Sequence, residues 1–495
     1  MDSDRIAVIA AIGENIDRPA SLDKALEPIA AMAAAVRAAD IEAGGTLLSQ
    51  ADSIDIVNQI SWPYAAPTDE LCKRLGIEPA RRVYGPVGGE TPLRFLHEAA
   101  MRIAAGESAV AIICGGEAHQ AVAKATSTGL SLPWTPRPDV AAPSVRGQDT
   151  AHPLAKRLGV HLPVTVYPLY EAATSFALGQ SPSTANAESG GLWSSMSDIA
   201  AANPYAWIRR HHSSEEIVTP SPANRAIATP YTKLMVANIA VNQAAAIIVT
   251  SLAKARAAGL DDGRLVFLHE GFSAGEPKDY LARDRYDHCV ARDVVLDRVT
   301  RTGRTFDLHE LYSCFPVVPK AARRRLGLSE DQPVSTAGGL TFFGAPLNNY
   351  MSHAACAMVR GLRERPGSGL LYGQGGFMTQ HFALCVGSTP SSSAPPPASA
   401  SVQDDVDRAY GKVPRFETGP SGPAVIESHT VIHGRDGDRT GVVVVRLEDG
   451  ARSLAKVPEA DRETLALLED QNAYAIGCRG EVRIEEDGLP RWRAN

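Results

Sequence analysis

Five short apolar runs, "RIAVIAAIG", "SAVAIICGG", "AAAIIVTS", "RLVFLHEG" and "QHFALCVG", constrain this chain more than any other feature. They are apolar at consecutive rather than alternate positions and β-branched in several places, so they read as strands buried on both faces. Between them lie longer stretches with helical spacing, at Ser21 to Ala39, Leu93 to Ala105, Leu252 to Ala258 and Asn349 to Arg363. Strands alternating with helices imply βαβ units around a largely parallel sheet, hence an α/β fold. With 495 residues the chain exceeds what one core serves, and two or three domains of roughly 100–200 residues each are expected.

Composition excludes several functions. Hydrophobic residues at 44% and charged residues at 21% describe an ordinary globular protein. A net charge of −7 argues against a nucleic-acid binder, which usually carries a basic face. The cysteines, Cys72, Cys114, Cys289, Cys314, Cys356, Cys385 and Cys478, form no CxxC pair and have no His at zinc-finger spacing. They predict no metal site and no disulfide framework, and suit a reducing compartment. "MDSDRIAVIAAIGEN" has acidic residues before an apolar run too short for a signal peptide or a membrane span, so a cytoplasmic location without membrane contact is expected.

Two segments break the alternation. From about 120 to 230 the chain is rich in Pro, Ser, Trp and Tyr, which reads as an insertion carried on the α/β core. "GSTPSSSAPPPASASVQ", from Gly387 to Gln403, has linker composition. Beyond it, "GPAVIESHTVIH", "TGVVVVRLEDGARSLAKV" and "GCRGEVRIEEDGLPRWR" alternate apolar and polar residues around Gly-Asp turns, with one helix near Ala460 to Leu468. The turn spacing suits a small β-barrel of the OB type, with a sandwich or meander as the alternative.

"YGPVGGETPLRFLHEAAMRIAAG", from Tyr84 to Gly106, reads as a loop feeding a capped helix, with Thr91 as N-cap, Pro92 in the first helical position and Gly106 just past the end. Leu93, Leu96, Ala100 and Ile103 mark its buried face. The unpaired N–H groups of such a helix start would activate a thiolate, yet the side chains offered are Glu90 and Thr91. Glu90 reads either as a functional acid or as a first-turn acid that satisfies the dipole. Three polar loops of the second half, "FDLHELYSCFP", "STAGGLTFFGAPLNNYMSH" and "LLYGQGGFMTQH", would converge with it if their strands are neighbours.

These residues in this order resemble the thiolase superfamily over roughly residues 5 to 390. The carrying segments are "AAMRIAAGE" with "AVAIICGGEAH", then "NRAIATPYTKLMVANIAVNQAAAIIVTS", "ELYSCFP", "AGGLTFFGAP" and the last Gly-rich turn. "WSSMSDIAAANPYAW", "PYTKLM", the "NNY" after the Gly-x-Pro turn and the appended β domain are similar to the thiolase-like protein type 1 group, often described as acetyl-CoA acetyltransferase-like. The resemblance implies a duplicated thiolase fold, two five-stranded mixed-sheet halves in an α/β/α/β/α arrangement. It places the first half at 1–255 with a loop domain at 120–230, the second at 256–387, a linker at 388–403 and an OB-like domain at 404–495. It also implies coenzyme A or an acyl-CoA as a non-covalent ligand, a place in lipid metabolism and a possible homodimer.

The family's chemical positions, however, are all changed. By alignment the acylated Cys falls on Gly89, Gly-His-Pro reads Gly344, Ala345 and Pro346, the Asn/His position falls on Tyr312, and the second Cys falls near Leu371 or Tyr372. Neither Gly nor Ala can be acylated or take a proton, and Cys114 and Cys314 read as core residues. The expected function is an acyltransferase or carbon–carbon bond enzyme without the usual machinery, with a retro-aldol lyase acting on 3-hydroxyacyl-CoA or a non-catalytic scaffold as alternatives. The candidate acids and bases are Tyr312, Tyr350, His353 and Glu90. Asn348, Asn349, Gly344, Gly89, Thr91 and Gly375 would shape an oxyanion-binding cleft, and Lys233, Arg209 and Arg210 would meet the cofactor's phosphates. For each Tyr, Asn and His the alternative is a structural bond within the core.

Overall fold

The computed structural model describes residues 2–390 and 399–494. The buried runs form one mixed sheet. Its first part contains β1 (Ala7–Ile16), β2 (Ser53–Ile56), β3 (Arg81–Tyr84), β4 (Val110–Ala118) and, after two short strands β5 (Ala226–Ala228) and β6 (Tyr231–Thr232), β7 (Asn242–Ser251). Its second part contains β8 (Val266–Gly275), β9 (Leu308–Leu311), β10 (Ser368–Gly375) and β11 (Gln380–Gly387). The order is β3-β2-β4-β7-β1-β8-β11-β10-β9. β1 and β7 pair along nearly their whole lengths, whereas β1 and β8 meet only at Val8–Phe267 and Ile9–Val266. The sheet is therefore two halves joined at a short seam.

The first half has the five strands expected of it. The second shows four among the described residues, and beside β9 a single bond from Leu311 N–H to Val334 O (2.8 Å) marks where a fifth would lie. "QPVSTAGG" is too rich in turn-forming residues to extend that contact into a ladder.

Helices Thr91–Ala105 and Tyr350–Glu364 lie between the halves and touch strands of both. The first is buried at Phe95, His97 and Ala99 as well as on its predicted face, as a helix covered on two sides must be. Glu90, not Thr91, is its N-cap, and Gly106 closes it at φ 75° as expected. The helix expected from Ser21 begins instead at Pro28, after a short turn at Leu22–Lys24, because Pro28 fits the start of a helix and not its interior.

The insertion is mainly helical, with long helices at Pro163–Ala177 and Pro182–Ala202. Residues 391–398 of the expected linker lie outside the described residues. After it, β12 (Gly422–His433), β13 (Arg439–Leu447), β14 (Arg452–Val457), β15 (Arg479–Ile484) and β16 (Pro490–Ala494) close into a five-stranded barrel through the β12–β13 pairing. The hairpin β5–β6 extends the same sheet through Ile432–Ala228, so the barrel is docked on the insertion. No described helix is long and apolar enough to cross a membrane.

Candidate functional site

The loop before helix Thr91–Ala105 is held from the second half of the chain. Gly88 N–H donates to Asn348 Oδ1 (3.1 Å), and Asn348 Nδ2 donates to Asn58 O (2.9 Å). At Gly89 a side chain has no room: a Cβ would overlap the Tyr312 hydroxyl and lie 2.6 Å from the Gln374 carbonyl oxygen. The phenol of Tyr312 thus occupies the space in which a nucleophile at position 89 would begin.

Gly89 and Tyr312 line a cavity of about 410 Å³ between the halves and the insertion. Its walls are largely apolar, from Leu162, Val164, Ile239, Leu340, Leu347 and Phe377. A polar cluster lies in them. Gln374 Nε2 donates to Tyr167 Oη (2.8 Å) and to Cys314 Sγ (3.1 Å), while Met378 N–H also donates to Tyr167 Oη (3.1 Å). The Tyr312 hydroxyl has no hydrogen-bond partner among the described residues.

Burial dominates the electrostatics here. It raises Tyr312 and Tyr167 well above the ordinary phenol range, so both stay protonated and act as donors rather than bases. It pushes the Cys314 thiol up to about 12, which keeps it a poor nucleophile. His119 begins the helix after β4 and is the one histidine lining the cavity among the described residues. Its Nδ1 is buried without a partner, and desolvation, with Arg146 nearby, lowers its pKa. A neutral imidazole is the group on this wall suited to accept a proton.

The other residues singled out in the sequence are placed as follows. Asn348, Gly375 and Ala345 line the cavity. Glu90 is 1% exposed and does not line it. Its Oε1 accepts from Arg94 Nη2 (3.0 Å), its Oε2 has no partner, and burial raises its pKa. Thr91 is fully buried and donates to Pro86 O (3.3 Å). Gly344 (φ 112°) lies so close to Gln243 that a Cβ would be 2.5 Å from its Oε1, and Asn349 Nδ2 donates to Gly115 O (2.8 Å).

Tyr350 and His353 point away from the cavity. Tyr350 donates to buried Glu310 (2.7 Å), whose carboxylate accepts from Thr336 N–H (2.7 Å) and Ala337 N–H (3.0 Å) and so ties the Gly-rich turn to β9. His353 Nδ1 bonds Glu14 of β1 (2.6 Å). The two are pillars of the core, and their assignment as bases is corrected accordingly. Lys233, Arg209 and Arg210 are exposed and line neither the cavity nor its surroundings, and Arg210 pairs with Glu216 (2.5 Å). The cations near the site are others: Arg94, Arg146 and Lys278 line a recess of about 560 Å³ that shares Val87, Arg146, Gly147 and Gly376 with the cavity.

The sequence reading passed over His119 and Arg146, although "GGEAH" and "SVRGQDT" contain them; a polar residue at the end of a buried strand was the available signal for the first. One further carboxyl shapes the wall. Buried Glu117 accepts from Ile60 N–H (2.7 Å) and Ser61 N–H (2.8 Å), and desolvation pushes its pKa up to about 7. Because the folded state holds this proton more tightly than the unfolded chain, its contribution to stability is complete below the ordinary carboxyl range and is lost as pH rises through about 7. In thermal unfolding between pH 5 and 8, Glu117→Gln is expected to flatten the fall in stability with rising pH; parallel curves for variant and parent would remove Glu117 from it.

Residues 401–488 match the family described as the thiolase-like protein type 1 additional C-terminal domain. Compared with the curated proteins, the sequence finds no match. Among solved structures it is similar to a monomeric SCP2-thiolase like protein type 1 from Mycobacterium smegmatis, with 26% identity, all of both chains covered and a TM-score of 0.83. The Ltp2-ChsH2(DUF35) aldolase shares the fold at 18% identity and a TM-score of 0.59, over 77% of this chain and 98% of that one. Human mitochondrial 3-ketoacyl-CoA thiolase in complex with CoA does so at 16% identity and a TM-score of 0.55, over 78% and 98%. Residues 401–488 thus form the additional C-terminal domain of the thiolase-like protein type 1 family, carried on a chain whose remainder has a thiolase-like fold similar to that of the SCP2-thiolase like protein type 1.

Proposed function

We propose that the cavity binds the thioester end of an acyl-CoA and that the chain acts on it without forming an acyl-enzyme. The observation that carries this reading is the Tyr312 phenol standing over Gly89, a hydrogen-bond donor in place of a nucleophile. The thiolase in complex with CoA that shares this fold supports the ligand class, and the aldolase that shares it supports cleavage of a carbon–carbon bond.

The chemistry that suits these groups is retro-aldol cleavage of a 3-hydroxyacyl-CoA. His119 takes the proton of the 3-hydroxyl, the C2–C3 bond breaks, and its electron pair moves onto the thioester as an enolate. The oxygen from which the proton left becomes the carbonyl of the released aldehyde or ketone. Tyr312 donates to the enolate oxygen, and the proton on His119 returns to C2 to give the shortened acyl-CoA. An acetyltransferase reaction through a covalent intermediate has no group to start it. A passive scaffold would not need an unpartnered phenol and an unpartnered imidazole on one apolar wall.

Incubation with a panel of acyl-CoA, 3-ketoacyl-CoA and 3-hydroxyacyl-CoA thioesters tests this. Aldehyde or ketone release with an unchanged protein mass is expected, and Tyr312→Phe and His119→Gln should each lower turnover by about 10²-fold or more. An acylated protein would overturn the reading, as would full activity in both variants. We also infer a monomer rather than the homodimer of the resemblance. The edge strand β3 has four residues, and its Arg81 and Arg82 are engaged with Asp55 and Asp69, features that discourage edge-to-edge pairing.

A further inference from the structure

The recess beside the cavity gathers three cations, and two of them have no carboxylate partner among the described residues. Arg94 comes from the first turn of helix Thr91–Ala105, Arg146 from the insertion and Lys278 from the segment after β8, so three separate parts of the chain converge on it. No Asp or Glu lines it, although the chain carries a net charge of −7 and engages many of its arginines in ion pairs. Arg94 is held by buried Glu90, whereas Arg146 and Lys278 have no carboxylate within ion-pair distance among the described residues. Like charges gathered in one concave surface repel, and an anion there lowers that energy. Thr150, Thr379 and Gln380 add polar groups to the wall.

The recess adjoins the cavity, and Val87, Arg146, Gly147 and Gly376 line both. We propose that it seats an anionic group, phosphate or carboxylate, carried by the same molecule whose thioester occupies the cavity. The inference rests on the thioester reading above. Two parts of such a molecule have this chemistry: the phosphates of coenzyme A, and a carboxylate at the far end of the acyl chain.

Four ligands separate these sources: butyryl-CoA, glutaryl-CoA, S-butyryl-pantetheine and S-glutaryl-pantetheine, titrated calorimetrically into the wild type and into Arg146→Ala/Lys278→Ala. Arg94 is left in place because it pairs with Glu90. Because Arg146 also lines the cavity, S-butyryl-pantetheine serves as the reference, and relative to it the double variant is expected to bind the ligands that carry the seated anion about tenfold more weakly, from two exposed charge contacts. A loss shared by both CoA ligands assigns the recess to the phosphates; a loss shared by both glutaryl ligands assigns it to the acyl end. Equal affinities in the two proteins for all four ligands, or an equal loss for all four, overturn the proposal. If the wild type binds none of them, the thioester reading fails, and inorganic diphosphate decides the recess alone: weaker binding to the variant supports an anion seat, and equal or absent binding removes it.

Discussion

Gly89→Cys, which places a sulfur where the resemblance to thiolases puts the acylated Cys, is expected to yield a destabilised protein that acyl-CoA does not acylate. The new Cβ would overlap the Tyr312 hydroxyl and sit 2.6 Å from the carbonyl oxygen of Gln374, and only the first obstacle is the end of a side chain. The second is backbone of β10, paired with β11 at His381, so it yields only by moving a buried strand. Overpacking of this kind costs about 1–3 kcal/mol and more where backbone must shift. Gly89→Ala should show the same fall in the denaturation midpoint, which separates the steric cost from sulfur chemistry. Gly89→Cys/Tyr312→Ala should recover part of it. An acylated single variant in intact-mass measurement, or an unchanged midpoint, would show that Tyr312 does not take the nucleophile's place.

This result bears on how much of the site the sequence discloses. The capped helix, its Gly106 terminator and the buried strands are local features, written within a few consecutive residues, and periodicity reads them. The displaced side chain at position 89 is not local, since Gly89 and Tyr312 are far apart in the chain and meet only when the halves pack. The same cause misplaced Tyr350 and His353. They follow Asn348 closely, but a helix turns about 100° per residue, so Asn348 reaches the cavity while its neighbours reach Glu310 and Glu14. Lys233, Arg209 and Arg210 were singled out by charge alone, which carries no address. Arg94, Arg146 and Lys278 have the same charge and a place in the wall, and nothing in their flanking residues distinguishes them. Asn348 sits in the short turn between the Gly-x-Pro segment and the helix, a place the sequence marks locally, and there it lines the cavity wall.

Arg452→Ala is expected to loosen the C-terminal barrel from the rest of the molecule and to weaken the cavity with it. The Arg452 side chain is fully buried between the barrel and the core. Its guanidinium donates to Glu427 Oε1 (2.6 Å) and Oε2 (3.1 Å) within the barrel and, across the boundary, to the carbonyls of Leu281 (3.2 Å), Arg283 and Asp284 (3.0 Å). It also lies 4.7 Å from the Tyr286 ring centre. Removing it leaves three carbonyls without this donor and Glu427 with Arg446 alone, a loss of about 1.5–3 kcal/mol for hydrogen bonds made by a charged group. Arg452→Lys should recover little, because an ammonium cannot fork between a carboxylate and three carbonyls. The consequence reaches the site through Ser428 of β12, which donates to Leu169 O (2.6 Å) on the helix that carries Tyr167 into the cavity wall. The variant should therefore show a lower denaturation midpoint together with weaker acyl-CoA binding. A midpoint lowered with binding intact would make the barrel a stabilising appendage, and an unchanged midpoint would make it independent of the thiolase fold.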